Sequence, residues 1–313
     1  MKYYITYDGG GTKIKAVVFD EDFNVLSYKT GGGINGNFYK MDEILNHIDM
    51  SVGEAVKEAN VDVAVAYNVM LAGGPEINTR LKQYLPNAKF QSYGEQHFNL
   101  LSAMFSFDGV SVICGTGVSV IWYTSEGRYE CIGGMGAYIG DEGGGYYMGE
   151  HAIRAAIQCI RGWGRQTVLA DLLLELASSP MKYFYGREFS HIPMHMKISG
   201  FTKQLEKACD MGDPAALEIV ADAGEKLALQ TIALYKQHDI PQSVPAVMNG
   251  GAWKTSPVIK ERFTQVLHNV FPDVEIIKPL LEPVAGGAVV NAIERGILNE
   301  ETKGKILKEF REI

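Results

Sequence analysis

Two glycine-rich turns of the sequence carry the residue types that phosphate binding needs. "DGGGT" (residues 8–12) and "CGTGVS" (residues 114–119) each connect two segments with the pattern of β-strands. Glycines at such a turn let backbone N–H groups face an anion without interference from side chains, and Thr12 and Thr116 add hydroxyl donors. Either turn alone is typical of a tight hairpin. Two such turns at matching places favour a phosphate site.

The residues around these turns suggest a metal and a nucleotide. Because a carboxylate does not bind phosphate directly, Asp8 beside the first turn indicates Mg²⁺ held through water. Gly250 and Gly251 stand between a strand and a helix, where a flat ring such as adenine approaches the backbone, although a plain strand-to-helix turn explains them equally well. A Walker loop is excluded by Trp253, and "DGGGTK" opens a strand, unlike a dinucleotide fingerprint.

Composition excludes several classes of partner. The 313 residues are 46% hydrophobic and 21% charged, with a formal net charge of −8, which is typical of a globular protein with room for two lobes. Lys and Arg are scattered, which argues against nucleic acid. No apolar run approaches the roughly 20 residues that span a bilayer, and "MKYYITYDGG" lacks the apolar core of a signal peptide. The four cysteines form no CxxC pair, so we expect reduced thiols and a cytoplasmic protein.

Hydrophobic periodicity predicts one order of elements twice. The first copy has the strands "YYITYD", "KIKAVVFD", "NVLSYKT", "VDVAVAYNVM" and "AKFQSY", and helices near 41–59, 75–85 and 95–106. The second begins with "GVSVICGTG", "VSVIWYT" and "GRYECIGG", continues with "VPAVMNGG" and "VEIIKPL", and has helices near 145–161, 165–177 and 213–238. Two βββαβαβα units predict an α/β protein with two similar lobes and a cleft between them.

The predicted lobes meet at a short crossover near residues 107–113. Residues 1–112 form the N-terminal lobe and residues 113–297 the C-terminal lobe in this interpretation. The last stretch, 298–313, has the pattern of an amphipathic helix that returns to the N-terminal lobe.

Four motifs resemble those of the acetate and sugar kinase/Hsc70/actin superfamily and occur in the same order: "DGGGTK", "CGTG", "GGMGAYIGDEGGGYYMGEHAIRAA" and "NGGAW". Residues 133–149 are similar to a segment of the BadF/BadG/BcrA/BcrD-type ATPase family, which includes N-acetylglucosamine kinases and N-acetylmuramate/N-acetylglucosamine kinases. The resemblance covers nearly the whole chain. It implies two ribonuclease H-like lobes in the actin-like ATPase/sugar kinase fold, with a central nucleotide cleft.

The resemblance also implies ligands and site residues. ATP would bind with Mg²⁺ near Asp8 and would contact Gly10, Gly11, Thr12, Lys13, Gly115, Thr116, Gly117, Gly250 and Gly251. An N-acetylated amino sugar would contact Asn35, Glu95, Gly134, Met135, Gly136 and Asp141. Asp141 and Glu142 also precede a predicted helix, so either residue could instead cap that helix. The resemblance further suggests a homodimer.

The family's base, an aspartate at the start of the helix before the second phosphate loop, is replaced here. "KFQSYGEQHFNLLSAMF" contains no aspartate, and Glu95 stands at the corresponding place as our candidate base. Charge complementarity at a helix N-terminus explains an acid there about as well. His97 is expected to be an ordinary residue of the helix surface or core. Val118 replaces the serine that usually follows GTG, which removes one hydroxyl from the phosphate loop.

These features predict an ATP-dependent kinase that phosphorylates N-acetylglucosamine and/or N-acetylmuramate at the 6-hydroxyl. One alternative is an ATPase activator of a 2-hydroxyacyl-CoA dehydratase-type enzyme, whose iron–sulfur cluster requires two cysteines per chain; Cys131 lies near the right segment without a convincing partner. The other alternative is a non-catalytic sugar-binding sensor, which the replaced base and Val118 permit.

Overall fold

Each half of the chain folds around a five-stranded sheet, and the two sheets share one topology. The computed structural model describes residues 1–36 and 38–313. Its strands are β1 (Tyr3–Gly9), β2 (Lys13–Asp20), β3 (Val25–Gly32), β4 (Val63–Met70), β5 (Lys89–Ser92), β6 (Gly109–Cys114), β7 (Val118–Tyr123), β8 (Tyr129–Gly133), β9 (Ala246–Asn249) and β10 (Ile276–Ile277). The orders are β3-β2-β1-β4-β5 and β8-β7-β6-β9-β10. In both sheets the first strand is antiparallel to the second and parallel to the fourth, which confirms the predicted duplicated α/β fold.

The helices flank these sheets, and most follow the predicted periodicity. They are α1 (Met41–Ile48), α2 (Glu54–Ala59), α3 (Pro75–Tyr84), α4 (Glu95–Met104), α5 (Gly145–Ile160), α6 (Leu169–Leu176), α7 (Pro180–Tyr185), α8 (Met194–Gly200), α9 (Thr202–Asp210), α10 (Pro214–Gln237), α11 (Pro257–His268), α12 (Gly286–Glu294) and α13 (Glu300–Glu309). Short 3₁₀ turns cover Arg187–Phe189, Gly251–Lys254 and Pro283–Ala285. Among the described residues, none of these helices has the length and apolarity to cross a membrane.

A π-helical turn interrupts the helix predicted over residues 41–59. This turn, Asp49–Gly53, separates α1 from α2. Asp49 at its start forms an ion pair with Arg80 and accepts a hydrogen bond from the Tyr84 hydroxyl at 2.9 Å, both on α3. These tertiary contacts hold a local geometry that the 3.6-residue period does not encode.

Both faces of the first sheet are covered, which explains why β2 reads as a nearly continuous apolar run. Ala16 and Val18 pack into one hydrophobic cluster with residues of α1 and α3, while Val17 and Phe19 pack into another with residues of α4, α12 and α13. A separate cluster around β6, β7 and β9 is covered by α5, α6, α9, α10 and α11.

The chain divides into two compact units at different places from those predicted. One unit is Met1–Asp108 with Ile277–Ile313, and the other is Gly109–Ile276. The segment with α12 was predicted in the C-terminal lobe but belongs to the first unit, because its residues contact the first sheet. The Thr6 hydroxyl donates a hydrogen bond to the Val284 carbonyl at 2.7 Å, and a Cβ on Gly287 would lie 2.1 Å from Thr6 Oγ1.

Candidate active site

The first glycine turn connects β1 to β2 and is bonded to the segment that follows β3. The Gly10 carbonyl accepts a hydrogen bond from the Ile34 N–H at 3.0 Å. Because a trans peptide holds its C=O and N–H antiparallel, the Gly11 N–H points away from Ile34. Gly33 packs so closely that a Cβ there would lie 2.3 Å from the Gly11 carbonyl oxygen. The structure therefore brings Asn35, the predicted sugar residue, next to the first predicted phosphate loop.

Asp8, near the end of β1, lies in an acidic cluster of the first unit. Burial raises its pKa to about 7; the charge of Glu95 adds to this rise, Lys13 opposes it and Glu282 adds to it again. Glu95 is half-buried as the first residue of α4, and burial raises its pKa as well. The predicted metal residue and the predicted base thus interact, although they lie on distant parts of the sequence.

The start of α4 is capped by His97 rather than by Glu95. The His97 Nδ1 accepts a hydrogen bond from the Gly94 N–H at 2.8 Å, so this histidine caps the helix and is not an ordinary residue of its surface or core. Burial lowers the pKa of His97, which favours the neutral ring that this bond requires. Glu95 lies at the positive end of the helix dipole, and its charge also acts on Asp8, so the dipole is not its only electrostatic partner. Its role as a base stays a prediction.

Glu282 is a site residue that the sequence interpretation missed. Its carboxylate contacts the Lys13 Nζ at 3.0 Å and the Lys15 Nζ at 2.9 Å. Burial opposes ionisation of Glu282, but the hydrogen bonds from Lys15 and Lys13 outweigh it and hold the pKa of Glu282 below its ordinary value. Lys15 is only 9% exposed on a strand that is covered on both faces. A lysine in such a strand signals an acidic partner, but the sequence does not say which acid.

Replacing Glu282 with glutamine should destabilise the protein by about 1 kcal/mol, because it leaves the buried Lys15 ammonium without its countercharge. Urea unfolding at pH 8 measures the change. Glu58→Gln is the matched control, since Glu58 pairs with Lys29 at the surface and its loss should have no measurable effect. Equal midpoints for the two variants would show that Lys15 does not depend on Glu282.

The second glycine turn, between β6 and β7, is held by the first residues of α5. The Gly145 N–H donates to the Gly115 carbonyl at 2.8 Å, and the Tyr146 N–H donates to the Thr116 carbonyl at 2.9 Å. Because these peptides are trans, the N–H groups of Thr116 and Gly117 point away from α5. Successive N–H groups turned to one side are the arrangement that binds anions at phosphate loops.

Asp141 is bonded to the predicted sugar loop and does not cap α5. Gly144 is the N-cap of α5, and no side chain makes a cap hydrogen bond there. Asp141 Oδ1 instead accepts a hydrogen bond from the Gly136 N–H at 3.1 Å. The neighbouring Glu142 is exposed and lies 3.5 Å from the Lys226 Nζ. The capping interpretation is therefore wrong for both acids.

Gly250 and Gly251, the predicted adenosine residues, differ in how closely other atoms approach them. Gly250 has φ +101°, and a Cβ there would lie 2.3 Å from the Cys114 carbonyl oxygen, so packing alone requires this glycine. Gly251 opens the 3₁₀ turn beside it, and a Cβ there would meet no atom within 4 Å. The buried Trp253 donates a hydrogen bond from Nε1 to the Val112 carbonyl at 3.2 Å, which anchors this turn to β6.

The acids of the first unit suit a hydrated divalent cation. Among the described residues, no three His, Cys, Asp or Glu side chains are grouped as direct metal ligands. Asp8, however, has a raised pKa caused in part by the negative charges of Glu95 and Glu282. A divalent cation relieves this repulsion, so the donor set fits Mg²⁺ held through water.

One family model and two kinases of N-acetylated amino sugars match almost the whole chain. The model of the BadF/BadG/BcrA/BcrD ATPase family matches residues 7–291. The N-acetylmuramic acid/N-acetylglucosamine kinase of Clostridium acetobutylicum is 25% identical over 304 residues, which cover 93% of this chain and 98% of that protein. The N-acetyl-D-glucosamine kinase of Dictyostelium discoideum is 22% identical over 311 residues, which cover 92% of this chain and 97% of that protein.

A solved structure shares the fold at low identity. The crystal structure of a ROK family glucokinase from Streptomyces griseus, in complex with glucose and AMPPNP, matches with a TM-score of 0.62 and 16% identity. The match covers 93% of this chain and 98% of that chain. This likeness shows the actin-like ATPase fold of sugar kinases.

Proposed function

This chain belongs to the BadF/BadG/BcrA/BcrD ATPase family, and we propose that it is a kinase that transfers the γ-phosphoryl group of ATP to the 6-hydroxyl of an N-acetylated amino sugar. The proposed substrate is N-acetylglucosamine, N-acetylmuramate or both, as the names of the two relatives suggest. The homodimer stays a prediction.

The family match over residues 7–291 carries this proposal, and the placement of Asp8 and Glu95 where the charge of one acts on the other supports it. Phosphoryl transfer to a hydroxyl needs a metal beside the phosphates and a group that accepts the hydroxyl proton. Asp8, next to the first glycine turn, suits the metal, and Glu95 at the start of α4 suits the proton acceptor. Burial raises the pKa of Glu95 toward the operating pH, which improves a general base.

In the proposed reaction, Glu95 accepts the proton of the sugar 6-hydroxyl. The bond from O6 to the γ-phosphorus forms while the bond from that phosphorus to the β,γ-bridging oxygen breaks, which leaves ADP. Asp8 would hold Mg²⁺ through water, and the bound metal would supply positive charge beside the phosphates. The N–H groups of Gly11, Thr116 and Gly117 hydrogen-bond to phosphate oxygens, as their outward direction supports.

The remaining predicted contacts are part of the same proposal. Gly10, Thr12 and Gly115 complete the two phosphate loops, and Gly250 and Gly251 approach adenosine. Lys13 moves from Glu282 to a phosphate, since its side chain is half exposed in this ion pair. Asn35 and the backbone of Gly134, Met135 and Gly136 bind the sugar.

A coupled ADP-release assay across four sugars tests this function. We expect Mg²⁺-dependent ADP release with N-acetylglucosamine or N-acetylmuramate, and much slower release with glucosamine and glucose, because these sugars lack the amide that backbone groups recognise. Mass spectrometry of the product should show the monophosphate of the same sugar.

Two outcomes would replace this proposal with an alternative. ATP hydrolysis that no sugar accelerates, together with the absorbance of an iron–sulfur cluster in anaerobically purified protein, would favour an ATPase activator. Binding of an N-acetylated sugar without ADP release would favour a sensor.

A further inference from the structure

His47, in the last turn of α1, is a polar residue to which the proposed function assigns no role. Its half-buried ring lies beside the segment that follows β3, and its Nδ1 is 2.7 Å from the Gly33 carbonyl oxygen. Because a carbonyl oxygen only accepts hydrogen bonds, Nδ1 carries the proton and is the donor. This hydrogen bond connects α1 to the segment that carries Asn35.

The same ring also contacts the chain after Asn35. Tyr39 meets the His47 ring edge to face, with 5.2 Å between the two ring centroids. The Tyr39 N–H donates a hydrogen bond to the Asn35 carbonyl at 3.0 Å, and the Phe38 N–H donates to the same oxygen at 2.9 Å. His47 therefore contacts the chain on both sides of Asn35, through Gly33 before it and Tyr39 after it.

Glycines at the end of β3 leave the space that this arrangement needs. A Cβ on Gly32 would lie 2.5 Å from His47 Nε2, so a larger residue would displace the ring. Gly33 also packs against the first phosphate loop, because a Cβ there would lie 2.3 Å from the Gly11 carbonyl oxygen. The segment before Asn35 is thus in contact with both His47 and this loop.

The π-helical turn after α1 holds the backbone of His47. Ser51, a fully buried residue of this turn, donates a hydrogen bond from its hydroxyl to the His47 carbonyl at 2.7 Å. β3 packs against the same carbonyl, since a Cβ on Gly31 would lie 2.2 Å from its oxygen. A side chain whose own backbone is held in this way is suited to fix a neighbouring loop.

From these contacts we infer that His47 is a positioning residue that sets the affinity for the amino sugar. The inference rests on the proposed function and adds a residue to the same site. The hydrogen bond to Gly33 holds the segment in the conformation in which Asn35 binds the sugar, so the segment is ordered before the sugar arrives. Without this donor, the sugar itself has to order the segment, and the free energy of that ordering is subtracted from binding.

Isothermal titration calorimetry of the full chain with N-acetylglucosamine and with N-acetylmuramate tests this role. His47→Phe keeps a ring beside Gly32 and Tyr39 but removes the donor, and it should weaken sugar binding by about tenfold, the usual cost of one hydrogen bond left unmade. His47→Asn places an amide nitrogen as many bonds from Cα as Nδ1 is. It keeps a donor without the ring, and it should restore most of the lost affinity.

Binding of ADP with Mg²⁺ is the internal control in each variant. The first phosphate loop is also held by its own hairpin, in which the Gly10 N–H donates to the Lys13 carbonyl at 2.9 Å, so ADP should bind to His47→Phe as tightly as to the wild type. Asn46→Leu is the matched control, because Asn46 is the neighbouring residue of α1 and is exposed, and sugar binding should not change. A variant that only folds less well would show fewer binding sites per chain with unchanged dissociation constants.

The outcomes separate the inference from the proposed function. If His47→Phe binds the sugar as the wild type does, or loses sugar and ADP affinity equally, the positioning role is wrong while the kinase proposal stands. If His47→Asn binds the sugar as weakly as His47→Phe, the hydrogen bond to Gly33 is not the cause and the inference is again wrong. If the wild-type protein binds ADP but neither sugar, the proposed function fails and the inference fails with it.

Discussion

Replacing Glu95 with glutamine should lower sugar-dependent turnover by about 10²- to 10⁴-fold, the usual contribution of a general base. Glutamine keeps the shape of the side chain and the helix start, but its amide cannot accept the proton of the 6-hydroxyl. The Michaelis constants should change little, since the loss falls on the transition state. Steady-state kinetics with the best sugar of the panel measures both quantities.

Glu76→Gln separates catalysis from helix electrostatics. Glu76 lies in the first turn of α3, where it complements the helix dipole as Glu95 does in α4, but it is exposed. If Glu95 served only the dipole, the two variants would show the same small loss of stability and wild-type turnover. Unchanged turnover in Glu95→Gln would remove this residue from the catalytic role.

Replacing Asp8 with asparagine should have two opposite effects. Turnover should fall by about 10²-fold or more, because an amide holds hydrated Mg²⁺ poorly and leaves the phosphate charge less offset. The ligand-free protein should become more stable at pH 8 by about 2 kcal/mol, because the ionised Asp8 is half-buried beside Glu95 in the wild-type protein. Activity and stability thus oppose each other at this position.

The pH dependence of this stability gain follows from the raised pKa of Asp8. Its pKa in the folded state is about 7, above the ordinary value of 3.8, so between these values the folded state binds more protons than the unfolded state. Stability of the wild-type protein therefore falls as pH rises from about 4 to about 7, and the full cost is present above pH 7. Asp8→Asn lacks this cost, so the two stability curves should agree near pH 4 and separate above it.

Urea unfolding across this pH range and turnover at several Mg²⁺ concentrations check both effects. For the wild-type enzyme at low Mg²⁺, activity should rise as pH increases through about 7, and added Mg²⁺ should shift the midpoint to lower pH because the cation favours ionised Asp8. The exposed Asp42 provides the control, since Asp42→Asn should change neither curve. If the stability of Asp8→Asn and of the wild type changed with pH in parallel, the pKa of Asp8 would not be raised in the folded protein.

Much of the fold was predictable from the sequence because its signals are local. Alternating and continuous apolar runs predicted the strands, the glycine turns marked the hairpins, and the repeated order of elements predicted two sheets of one topology. The motif over residues 133–149 led to the family that the comparison confirms. What escaped prediction involved distant contacts. The turn before α12 is hydrogen-bonded to Thr6 of the first sheet, Gly287 of α12 packs against the same residue, and Asp49 stabilises a π-helical turn through Arg80 and Tyr84.

The candidate site was also predictable only where its signals are local in the sequence. The sequence by itself determined which segments we propose for the chemistry, since the glycines beside Asp8 and the position of Glu95 are visible without a fold. Only the tertiary structure showed that the charges of Glu95 and Glu282 act on Asp8 and that the buried Asp141 accepts a hydrogen bond from the Gly136 N–H. The physical reason is that backbone conformation depends largely on neighbouring residues, whereas a pKa or a shared hydrogen-bond acceptor depends on which distant side chains packing brings within a few ångströms.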